Sequence, residues 1–157
     1  MPIWTRWGEV LVDADTSGKR VFQSIVLPKN SVLDRVRTEF EYYNDPNFTS
    51  IHLKLYSGTN ATPGKLIATS DSRTKTEIDV LMTEVYGRFE TYFDFSTPVA
   101  LRAGVEYFLV VNGVWSSFTD SSHLRWNKGH PDDSRGSNST KTIASGPFRY
   151  ELIGSVF

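Results

Sequence analysis

Between residues 32 and 43 the chain alternates cleanly, with Val36, Thr38, Phe40 and Tyr42 on one face and Arg35, Arg37, Glu39 and Glu41 on the other. A period of two predicts a half-exposed antiparallel strand whose outer charges pair across to its neighbours. After a turn at 44–47, Ile51, Leu53 and Leu55 alternate with His52, Lys54 and Tyr56, and a loop over 58–64 leads into a strand at 66–68. Residues 88–95 repeat the pattern, with Phe89, Phe93 and Phe95 inward around Thr91. Pro98 has no N–H to give to a ladder, so that strand is expected to stop at or just before it.

Val99 and Leu101 then form a short bridge, Ala103-Gly104 supplies a tight turn, and 105–111 follow as Val-Glu-Tyr-Phe-Leu-Val-Val. Apolar on both alternating faces, this run predicts a central strand covered on both sides. Residues 4–13 are apolar on both faces too, and so are expected either as a strand of the sandwich or as a docking arm, within 1–15, built on Trp4, Trp7, Val10 and Val12. Turn residues at 15–18 precede a strand at 21–27, which 28–31 end. At 77–81 a helical stripe competes with a strand, and the surrounding hairpins favour the strand. Residues 113–145 are turn-rich, interrupted by a short strand at 123–126, and Phe148, Tyr150 and Leu152 close the chain in alternation.

Roughly eight to ten short strands punctuated by Gly, Pro, Asn and Asp predict an all-β fold, an antiparallel sandwich or barrel, in a single domain over 1–157. The run F-x-F-x-x-P-V-x-L-x-A-G-x-x-Y-x-L-V-V (93–111) resembles a segment of small jelly-roll β-sandwich modules found in bacterial surface proteins and tailed-phage structural proteins. Leu55-Tyr56-Ser57, then Pro63-Gly64-Lys65-Leu66-Ile67-Ala68-Thr69-Ser70, is similar to a hairpin of the same modules. With the closing 148–154, the likeness spans about 21–157 and implies a jelly-roll-like sandwich.

Composition narrows the function. With no cysteine there is no disulfide framework and no thiolate chemistry. A formal net charge of -1 removes the attraction on which non-specific nucleic-acid binding relies, so no nucleic-acid partner is expected. No segment has the unbroken apolar length that inserts into a bilayer, and the first residues lack a signal-peptide pattern. If Met1 is the natural start, the protein is made without classical secretion.

His52, His123 and His130 have no recognised ligand spacing, and Asp120, Asp132, Asp133 and Asn138 read as solvated turns rather than a calcium site. Neither metal nor cofactor is expected. No G-x-S-x-G elbow accompanies the serines, and the chain reads as a non-enzyme. The remaining candidate surface is aromatic: Trp115, Phe118 and Trp126, with Arg125 and His130 near in sequence, are suited to stack on a sugar or anchor a protein partner. The competing reading packs Trp115 and Trp126 into the sandwich rim.

The expectation is a structural or accessory virion protein of a tailed phage, in a capsid-decoration, head-fibre or tail-appendage role. It would contact other virion proteins or itself, as a homo-oligomer such as a trimer. The alternative is a carbohydrate-binding module at a cell surface or outside the cell, with glycan as ligand.

Overall fold

The computed structural model describes residues 2–6, 10–12, 21–43, 47–59, 62–80, 87–117, 123–126, 136–138 and 150–156. They form strands β1 (Pro2–Arg6), β2 (Val10–Val12), β3 (Val21–Val26), β4 (Ser31–Tyr43), β5 (Asn47–Thr59) and β6 (Thr62–Thr74), then a helix, α1 (Lys75–Asp79). Strands β7 (Gly87–Leu101), β8 (Glu106–Ser117), β9 (His123–Trp126), β10 (Gly136–Asn138) and β11 (Tyr150–Val156) follow. All the pairings are antiparallel, in two sheets. One sheet runs β10-β3-β8-β5-β6; in the other, β4 pairs with β7 along one edge and with β11 and then β9 along the other, with β1 beyond β11 and β2 beyond β9. The fold is an all-β antiparallel sandwich.

The period-two readings account for the core. From one sheet Leu33, Val36, Phe40, Phe89, Phe93 and Leu152, and from the other Ile25, Ile51, Leu53, Leu55, Leu109 and Val111, pack into one buried cluster. Phe40 lies 5.7 Å from Phe89 and 6.4 Å, edge-on, from Phe93, a separation at which aromatic pairs add to plain area burial. Thr38 and Thr91, opposite each other on the same inward face, are buried too, and the Thr38 hydroxyl donates to the Thr91 carbonyl at 3.4 Å. As the unbroken apolar run implied, β8 is central and buried on both faces, with Phe108 and Val110 forming a second, outer cluster with Tyr56.

Four expectations are corrected. Strand β7 does not stop before Pro98: Asp94 is registered with Arg35 and Val99 with Leu33, so residues 95–98 bulge past Asp34. Pro98 is tolerated because it sits in that bulge, on a strand whose pairing among the described residues is with β4 alone. Residues 75–79 are helical rather than extended, because Thr74 and Glu77 form a capping box: each backbone N–H donates to the other's side chain, at 2.7 and 3.2 Å. The loop expected over 58–64 is shorter, since ladder pairing runs to Thr59 opposite Thr62. The turn-rich 113–145 also holds more strand than expected, with β8 reaching Ser117 and β10 pairing with β3.

The turn at 103–104 closes as the sequence implied. Gly104 has φ 72°, its N–H donates to the Leu27 carbonyl at 2.9 Å, and the Tyr107 hydroxyl accepts the Arg102 N–H at 3.0 Å. A Cβ on Gly104 would meet nothing within 4 Å, so substitution there costs backbone strain alone. Gly104→Ala is therefore expected to lower unfolding stability by about 1 kcal/mol. Phe40→Ala should cost about 3–5 kcal/mol by leaving a cavity between Phe89 and Phe93. Urea titration with fixed m-value checks both, and equal effects would contradict this assignment of core and turn.

Candidate functional site

Part of the candidate patch, Arg125 and Trp126, and part of the N-terminal segment, Val10 and Val12, meet on one stretch of sheet. Strand β9 runs between β4 and β2, so Trp126 is registered with both Phe40 and Val10, Arg125 with Glu41 and Leu11, and Leu124 with Tyr42 and Val12. Trp4 lies on β1, opposite Leu152 of β11. Strands β1 and β2 thus line the side of the six-stranded sheet away from β7, as strands of this chain's own sheet. Trp115 is elsewhere, on β8 of the other sheet, registered with Phe48. Trp7, Phe118 and His130 lie outside the described residues, as do Asp120, Asp132 and Asp133.

Trp126 and Trp115 therefore occupy register positions opposite Phe40 and Phe48, both buried core residues. His52 and His123 lie on different sheets: His52 pairs in register with Asn112 on the five-stranded sheet, and His123 with Tyr43 on the other. Among the described residues no group of three or more His, Asp or Glu is placed to hold a metal ion.

A charged group that the sequence did not single out lies where the edge strands of the two sheets adjoin, at β6 and β7. Arg35 on β4 grips Asp94 on β7 through two hydrogen bonds, Nε to Oδ1 at 2.6 Å and Nη2 to Oδ2 at 3.2 Å. Arg73 on β6 reaches the same Asp94 carboxylate at 3.4 Å and pairs with Asp71 at 2.6 Å. The other oxygen of Asp71 accepts the backbone N–H of Asp94 at 2.8 Å. Both guanidinium groups lie over rings, Arg35 at 4.9 Å from the centroid of exposed Tyr92 and Arg73 at 6.0 Å from that of buried Phe93. The hydrogen bond between Arg35 and Asp94 is the main cause of two shifts: it holds the Asp94 carboxyl below its ordinary value and raises the Arg35 guanidinium.

Arg37 pairs with Glu90 one step along the same two strands, at 3.2 Å. Arg35 and Arg37 thus pair across the sheet as the alternation implied, and Glu39 differs from that pattern. Glu39, also on the outward face, is buried. On the five-stranded sheet Asn112 is buried as well, with its Oδ1 unpaired.

No family model and no curated protein sequence matches the chain. Among solved structures, the chain is similar to a CocE/NonD family hydrolase from Staphylococcus aureus, at 10% identity and a TM-score of 0.44. That likeness covers 98% of this chain and 34% of the hydrolase, so the chain spans about a third of that protein's length.

The Arg35–Asp94 pair is partly exposed, which limits what it adds to stability. A double-mutant cycle with Arg35→Ala and Asp94→Ala should give a coupling energy of about 0.5–1 kcal/mol. Arg35→Lys should lose most of it, because an ammonium cannot reproduce the two-pronged grip. A coupling near zero would show that the pair adds nothing to the fold.

Proposed function

We propose that this chain is a non-enzymatic, jelly-roll-like structural or accessory component of a virion of the tailed-phage type, working through protein–protein contacts as a homo-oligomer. The observation that carries the reading is the edge formed by β1 and β2. Each pairs on one side only among the described residues, β1 with β11 and β2 with β9. Their sequences carry the apolar residues Trp4, Val10 and Val12, while Pro2, Arg6, the register shift between Pro2 and Trp4 and the three-residue length of β2 limit how far the free backbone could be extended by another strand. Apolar residues at such an edge suit side-chain contact with a second copy or a neighbouring subunit. The resemblance of 93–111 and 55–70 to jelly-roll modules supports the same reading.

Sedimentation equilibrium at micromolar concentration tests the proposal. The chain should sediment as a homo-oligomer, and Thr5→Lys, which charges β1 opposite Glu151, should weaken association about tenfold or more. A monomer over the whole range would contradict it. Selective glycan binding on an array, lost in Trp126→Ala, would transfer the function to the carbohydrate-binding alternative.

A further inference from the structure

Within each sheet, strands are joined by backbone ladders. Where β6 of one sheet adjoins β7 of the other, a described part of the junction is made by side chains: Asp71 accepts the Asp94 backbone N–H, Arg73 bonds both Asp71 and Asp94, and Arg35 holds Asp94 from β4. The contact falls at the point where β7 leaves register with β4.

We propose that this Asp71–Arg73–Asp94–Arg35 seam is an acid-releasable catch: when the Asp94 carboxylate that both arginines share is protonated, the β6–β7 side of the sandwich opens locally while the ladders within each sheet persist. The charge logic is direct. Protonating Asp94 removes the anion that Arg35 and Arg73 share, so β4 and β6 lose their common hold on β7.

The charged groups facing Asp94 are Arg35 from β4 and Arg73 and Asp71 from β6, and Tyr92 on β7 itself lies against Arg35. Arg37 with Glu90 lies further along the same two strands, and Lys75 with Asp79 on α1. Because the native Asp94 carboxyl titrates below its ordinary range, its contribution is present above that range and is lost as the pH falls through the depressed value. Release therefore begins as the pH falls into the ordinary carboxylate range and completes below it. Beneath the catch lie Phe93 and Phe95, both buried, so opening wets apolar surface and stays local only while the remaining core holds.

Amide hydrogen exchange on the intact chain reads the catch directly, since the Asp94 N–H donates to Asp71. After correction for the intrinsic pH dependence of exchange, protection at Asp94 should fall several-fold between pH 7 and pH 3, while Leu109 and Val111 in central β8 keep theirs. Asp71→Ala should lose the Asp94 protection already at pH 7. The double variant Asp71→Asn/Asp94→Asn keeps carbonyl acceptors that cannot be protonated, and should give a flat profile. Wild-type protection that is constant with pH, or that falls in step with Leu109, would overturn the proposal. So would an unflattened profile in the double variant. The wild-type profile decides alone if a variant does not fold.

Discussion

The interaction on which the rest depends is the pairing of β4 with β7. It sets Phe40 against Phe89 and Phe93 on the inward face and Arg35 and Arg37 against Asp94 and Glu90 on the outward one. A slip of one residue would turn every one of these side chains to the wrong face, so the hydrophobic and the ionic pattern enforce one register between them. Inward burial supplies the stabilisation, about 25 cal/mol per Å² of apolar surface removed from water, and the exposed pairs add little. The ion pairs matter more for specifying which residues face each other than for holding them there.

Strand β4 also organises the other half of its sheet. Its far edge is shared, by β11 along the first two-thirds and by β9 at the end, and the N-terminal strands extend those two. The chain's first residues are thereby joined to its last, and Val10 and Val12 to the strand that carries Arg125 and Trp126. A surface built at that edge draws on segments far apart in sequence.

Much of this was legible in advance. Where one face is buried and the other wet, as at β4 and β5, alternation named the inward residues, and a run apolar on both faces identified β8 as central. The errors came from signals that work against alternation locally. A proline on an edge strand interrupts a ladder without ending the strand, because a bulge can hold it out of the pairing. Four residues of capping chemistry, Thr74 to Glu77, outweighed the hairpin context around them. The Asp71–Arg73–Asp94–Arg35 group was beyond reach because it depends on how two sheets meet. Nothing in the order of the residues records that β6 lies beside β7. Burial of Glu39 was equally unreadable, since alternation assigns a face and says nothing of what covers it.

The functional reading rests on the N-terminal edge being a surface that another copy covers. The most direct measurement is hydrogen exchange at the amides of Thr5 and Arg6 in β1 and of Leu11 in β2 across a hundredfold range of protein concentration. An edge that is covered on assembly predicts protection that rises with concentration, while amides in β8 stay unchanged. Protection independent of concentration at all three positions would contradict it.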